Sequence, residues 1–134
     1  MEQNDKTLGL LSIARKAGKL QTGEDAVGTM TAEHRARLIV LASDAGAATL
    51  RRIRMQTEGT RQRFLVLNYD KLTLGAALGK ASVAVAAFSD VSLALAFVRT
   101  LDQPDPALLE ELGQRVARVK ARADAGRHGK LRKS

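Results

Sequence analysis

The sequence predicts an α/β protein: a three-layer α/β/α sandwich with a mostly parallel central sheet, then a C-terminal helix and a basic tail. Three continuous apolar runs are the first observation: 38–42 (Leu-Ile-Val-Leu-Ala), 64–67 (Phe-Leu-Val-Leu) and 83–88 (Val-Ala-Val-Ala-Ala-Phe). Runs without polar alternation suit strands covered on both faces. The second observation is that segments of helical period separate these runs, as crossover helices do in parallel sheets. The third is a break at Pro104 and Pro106, since a residue preceding proline is driven out of helical conformation.

The elements follow in order. Leu8, Leu11 and Ala14 lie on one helical face that ends at Gly18. A short strand precedes Thr22, which is placed to cap a second helix running to about Thr31. After the first apolar run, Leu50, Ile53 and Thr57 share a face, and Arg51, Arg52 and Arg54 lie off it as a solvated side. Residues 72–78 form a short helix stopped by Gly79. Ser89 or Asp90 can cap a helix whose stripe is Val91, Leu95, Val98 and Leu101. Past the prolines, Leu109, Leu112, Val116 and Val119 recur at three- and four-residue spacing, the mark of an amphipathic helix. The expected organisation is a domain over 1–103, a helical extension over 104–125 and a disordered basic tail over 126–134.

Composition narrows the function. The chain has 134 residues, enough for one domain, with 45% hydrophobic but only 3% aromatic residues. The core is therefore aliphatic, and modules that stack several bases on aromatic rings are disfavoured. With no cysteine, disulfides, thiolate metal sites and thiol chemistry are excluded. His34 and His128 are isolated from each other and from acidic partners, so neither is assigned to catalysis or to a metal; no cofactor is expected. The polar N-terminus lacks a signal core and no run is long enough to span a bilayer, so the expectation is a cytoplasmic protein without membrane contact.

Charge is uneven. Of the net +8, residues 115–134 hold +7, with eight basic side chains against Asp124 alone. A near-neutral domain with a basic arm fits a polyanionic partner, although such an arm can also serve solubility.

Two phrases carry the candidate site. In Thr22-Gly23-Glu24-Asp25, the spacing of Thr22 and Asp25 is that of a capping box in its looser Asp form. The same helix start exposes backbone N–H groups and a positive dipole end, which suit phosphate. Gly23 lets a ligand backbone approach, and Glu24, repelled by phosphate, would accept from the exposed N–H edge of guanine. The second phrase is Leu78-Gly79-Lys80-Ala81. It is not a nucleotide loop: three residues separate Gly75 from Gly79, Ala81 stands where a magnesium-binding hydroxyl belongs, and a helix precedes it. A helix cap at Gly79 and a surface lysine explain it structurally; a lysine beside phosphate explains it functionally. Arg15, Lys16 and Lys19 are explained equally well by the first helix's dipole or by RNA docked at the adjacent turn.

Four phrases together resemble a known family. They are residues 10–19 (Leu-Leu-Ser-Ile-Ala-Arg-Lys-Ala-Gly-Lys), 22–27 (Thr-Gly-Glu-Asp-Ala-Val), 37–45, and 74–80 followed by 83–90. In order and spacing over 8–101 they are similar to the kink-turn-binding ribosomal-protein ("L-seven-Ae") superfamily, in particular its small bacterial YlxQ-like branch. The resemblance implies an α/β/α sandwich that binds structured RNA, kink-turn-like or ribosomal, through the start of the second helix and the loop before the last strand. The family motif Gly-x-Asn-Glu-x-x-Lys is matched here only by Glu24; Gln21, Gly23 and Val27 replace its Gly, Asn and Lys. Carried over residue by residue, Glu24 and the Gly23 backbone contact bases and phosphate, with Thr22 beside them. Lys19 and Lys80 meet phosphates, and Ala81, Ser82 and Val83 form the loop that packs an extruded nucleotide.

The leading expectation is thus a non-enzymatic RNA-binding protein, ribosome-associated on the family resemblance. The alternative is a protein-interaction module using the stripe from Leu109 to Val119. An RNA-modifying enzyme is a weaker third reading, for no nucleophile–base pair or cofactor loop supports it.

Overall fold

The structure is a computed structural model that describes residues 3–133, with side chains described over 6–126. Helix α1 (Gln3–Lys16) leads into β1 (Leu20–Thr22), α2 (Glu24–Ala32), β2 (Leu38–Leu41), α3 (Ala47–Thr57) and β3 (Phe64–Val66). Then come α4 (Lys71–Ala77), β4 (Val85–Phe88), α5 (Val91–Arg99) and α6 (Pro106–Lys133). The expected order of helices and strands is present.

The four strands lie in the order β1-β4-β2-β3. Only β2 and β3 pair in parallel, whereas β4 is antiparallel to both β1 and β2. The expectation of a mostly parallel sheet is therefore corrected to a mixed one. Strands β1, β2 and β3 do point the same way, but the reversed β4 sits between β1 and β2. The cause lies in α4. Its seven residues advance only about 10 Å, and Gly79, at φ 70°, then turns the chain back over the helix it has just left. The Lys80 N–H donates to the Gly75 carbonyl at 2.8 Å, the closing bond of a Schellman turn, and the Val83 N–H donates to the Lys71 carbonyl at 3.0 Å. The chain thus re-enters the sheet at the end where it left, and β4 must run in reverse.

Alternation within the strands assigns the two faces. Leu38 and Val40 of β2, with Ala86 and Phe88 of β4, join residues of α1, α4, α5 and α6 in one core cluster. Ile39, Leu41, Val85 and Ala87 point the other way, onto Val27 and Met30 of α2 and Ile53 of α3. All eight residues of β2 and β4 are buried, as continuous apolar runs require, and three layers result. By contrast β3 is an edge strand; Val66 is 51% exposed. Phe88 and Phe97, two of the few aromatics, pack with ring centroids 5.2 Å apart. Buried Gln62 ties the layers: its Oε1 accepts from the Ala36 N–H and its Nε2 donates to the Thr31 carbonyl, both at 3.1 Å.

Helix α6 belongs to this core over its first half. Leu112 is fully buried and Leu108, Leu109 and Val116 pack around it, while Arg63 forms a bidentate pair with Glu111 across to β3. The stripe expected to meet a partner is thus turned inward, except for Val119. The α6 backbone is helical to Lys133, past Gly126 where the sequence reading begins a disordered tail. The tail's cations Arg127, Lys130, Arg132 and Lys133 lie outside the residues whose side chains are described. Among the described residues no helix is long and apolar enough to cross a membrane, and no group of His, Asp or Glu could hold a metal ion.

Candidate nucleic-acid interface

Because β1, β2 and β3 point one way, their carboxyl ends share one rim of the sheet, and α2, α3 and α4 all start there. At this rim Gly23 is the N-cap of α2, with φ 97° and ψ 155° and no side-chain capping bond. That backbone region is open to glycine and to almost nothing else. The Gly23 N–H donates to the Val85 carbonyl at 2.9 Å, extending the β1–β4 ladder by one bond. This corrects the expected capping box. Thr22 is the last residue of β1, paired with Ala86, so the helix begins one residue too late for Thr22 to cap it. The first-turn N–H groups of α2 consequently face outward without a side-chain acceptor, which is the arrangement that receives an anion.

Glu24 stands in that first turn, but it is not free in solvent. Its Oε1 accepts from Thr49 Oγ1 and from Arg52, each at 2.8 Å, bridging α2 to α3. Both bonds fall on one oxygen, and among the described residues Oε2 takes none. The side chain remains 45% exposed. Arg52, read from the sequence as part of a solvated face, thus orients the candidate carboxylate. Helix α3 starts at Gly46, also without a side-chain cap, while α4 is capped by Asp70, whose carboxylate accepts from the Thr73 N–H at 2.8 Å. That backbone bond holds the Asp70 carboxyl below its usual range.

The loop before β4 reaches the same rim. The Ala84 carbonyl accepts from the Ala42 N–H at 2.9 Å, so Ala84 and Val85 sit beside β2 and the Gly23 turn. Lys80, Ala81 and Ser82 are exposed and lie over Gly75. A Cβ on Gly75 would stand 2.7 Å from the Lys80 carbonyl oxygen and 2.8 Å from that of Ala81; only a glycine lets this loop rest there. Extended backbone reach keeps Lys80 within about 17 Å of Val85. Val83 is 3% exposed and packs in the core. It supports the loop and has no side chain to offer an extruded nucleotide.

Lys19 is not at this rim. It precedes β1, and its carbonyl accepts from the Ser89 N–H, which follows β4. Four residues of near-extended chain separate it from Gly23, about 13 Å. The cation that does approach the second phrase is Arg15: one guanidinium nitrogen lies 3.7 Å from where a Gly79 Cβ would be. Sequence reading missed Thr49, considered Gly75 only within a rejected nucleotide loop and not as the seat of residues 80–82, and undervalued Arg15 and Arg52. The visible signal was the i, i+3 spacing of Thr49 and Arg52, which puts both on one helix face; what that face meets is a tertiary matter.

No family model and no curated protein matches this chain. Solved structures do. A protein of unknown function from Bacillus halodurans aligns with a TM-score of 0.67 at 28% identity, over 73% of this chain and 98% of that one. The Giardia lamblia 15.5kD RNA binding protein aligns with a TM-score of 0.58 at 17% identity, over 90% of each chain. This chain shares their fold.

Proposed function

We propose that this chain is a non-enzymatic protein that binds structured RNA, at the rim where α2 begins and the loop before β4 ends. The observation that carries the reading is the junction itself. A glycine-built, uncapped helix start carries a positioned carboxylate and is hydrogen-bonded to Val85, the first residue of β4, which directly follows the loop that carries Lys80. The fold shared with an RNA-binding protein over 90% of both chains and the net charge of +8 support it. In this reading the α2 N–H groups and Lys80 hold phosphates, while Glu24 Oε2 accepts from guanine N–H groups in non-canonical pairs. The finer reading, following the family resemblance, is a kink-turn-like or ribosomal RNA in a cytoplasmic setting.

The test titrates the full chain with a kink-turn RNA and with the same duplex lacking its bulge. Wild type should prefer the kinked RNA. Glu24→Ala should erode that preference, at a cost of about 1–3 kcal/mol for a lost base contact. Lys80→Ala should weaken both RNAs, more so at low salt. Equal binding of the two RNAs, together with indifference to both substitutions, would remove this rim from consideration.

A further inference from the structure

The opposite rim of the sheet carries a feature that the reading above does not use. Between the turn before β2, the loop before β3 and the middle of α6 runs an open cleft of about 470 Å³, lined by Arg37, Arg61, Arg115, Arg118 and Arg122. No aspartate or glutamate lines it. Among the described residues none of these five arginines forms an ion pair. The nearby carboxylates are already engaged, Glu111 by Arg63 and Glu33 by Arg35. Arg115 reaches across the cleft to donate to the Arg61 carbonyl at 2.6 Å, and Arg37 donates to the His34 carbonyl at 3.3 Å. These bonds to neutral carbonyls hold Arg115 and Arg37 in place without neutralising them. Burial pushes Arg115 below its ordinary value; Glu111 offsets this in part, and Arg37, Arg63 and Arg61 add to it. Like charges gathered at such a cost are relieved by an anion.

The shape of the cleft indicates which anion. Arg115, Arg118 and Arg122 are spaced by three and four residues, so they share one face of α6 and extend along it by about 10 Å. Arg37 and Arg61 form the facing wall. A row of planar forks opposite a second wall of forks matches successive phosphates along a strand better than one compact ion. No phenylalanine, tyrosine or tryptophan lines the cleft, and His34 is the one ring in its lining, so it has no row of platforms for stacking successive bases. We propose that this arginine cleft is a second RNA site, gripping the phosphodiester backbone without reading sequence. One molecule would then hold two helical segments of RNA at opposite ends of its sheet. The inference stands on the cleft's own charge and geometry and does not require Glu24 to read a base.

The probe is a fluorescent, unkinked RNA duplex titrated by anisotropy with the full chain. Arg118→Gln/Arg122→Gln removes two cleft cations at exposed, helix-compatible positions. Arg99→Gln/Lys120→Gln removes the same charge outside the cleft lining. The cleft pair should weaken duplex binding about tenfold and make the salt dependence shallower by up to about two, one per lost phosphate contact. The control pair should change affinity less than about twofold, and neither pair should alter the melting temperature. Glu24→Ala should leave duplex binding intact, so failure at the first rim and failure at the cleft give different patterns. Equal losses from the two pairs, or no loss from the cleft pair, would overturn the proposal. So would cleft variants that keep RNA affinity but lose binding to phosphatidylserine vesicles.

Discussion

Glu24 illustrates how one side chain can hold a structural and a recognition role through different atoms. Its Oε1 ties α2 to Thr49 and Arg52, so Glu24→Ala removes a half-exposed ion pair as well as the candidate base contact. A half-exposed pair is screened, and its loss should lower stability by no more than about 1 kcal/mol. The loss of RNA affinity should exceed that and respond weakly to salt. A chemical melt run beside the titration separates the two quantities. Gly23 is the sharper case. A Cβ there would meet nothing within 4 Å, so Gly23→Ala tests backbone strain alone. At φ 97° the expected cost is about 1–3 kcal/mol, read as a lower urea midpoint with an unchanged slope. An alanine tolerated without loss would mean that the α2 start can shift, and the candidate rim with it.

At the scale of elements, α4 and its returning loop act as one device. The loop rests on Gly75 because nothing projects from that position. Gly75→Ala would drive a methyl into the backbone of Lys80 and Ala81, which cannot rotate away as a side chain could. The expected result is about 1–3 kcal/mol of destabilisation and weaker RNA binding from a residue that touches no RNA. A crystal structure of the variant should show residues 80–82 displaced. Helix α6 makes a comparable point about packing. Leu112→Ala empties a fully buried site and should cost about 2–5 kcal/mol; a surface extension would lose almost nothing. The Arg63–Glu111 pair links α6 to the sheet and is sensitive to pH. Arg63 holds the Glu111 carboxyl below its unfolded value of 4.5. The pair's stabilisation is therefore complete above that value and is lost as pH falls through the lower folded one. Both groups are partly exposed, so its size is about 1 kcal/mol at most. The stability gap between wild type and Glu111→Gln should be present at neutral pH and close on acidification; a gap that widens in acid would deny the pair its role.

For the whole molecule, charge and topology act together. The sheet separates two rims, one with Gly23, Glu24 and the loop before β4, the other with the arginine cleft beside α6. Most of the net positive charge is carried from residue 115 onward, on the helix that forms one wall of the cleft. Truncation after Asp124 removes Arg127, Lys130, Arg132 and Lys133. It should weaken binding to every RNA, reduce the salt slope by no more than about three to four, and leave any preference for kinked RNA intact. If the preference disappears with the tail, selectivity resides in the tail and not at the α2 rim.

The sequence by itself determined which segments could be strands, because runs such as 38–41 and 85–88 have no polar residue to give to solvent. It also determined the order of elements, the break before α6 and the concentration of charge near the C-terminus. Local chemistry narrowed the α5 cap to Ser89 or Asp90, of which Asp90 accepts from the Ser92 and Leu93 N–H groups, and it sufficed for Gly79 as the end of α4, since such features depend on a few adjacent residues. Tertiary structure alone decided the direction of β4, because strand direction follows from where a returning loop can rest, and that depends on the space above Gly75. It decided that Thr22 is a strand residue, because the Gly23 N–H found its acceptor on Val85, a residue distant in sequence. It placed Lys19 at the far rim, brought Arg52 to Glu24 and gathered Arg37, Arg61 and Arg115 from separate segments. Each of these is a long-range pairing, and a pairing has no signature in either of the segments that make it.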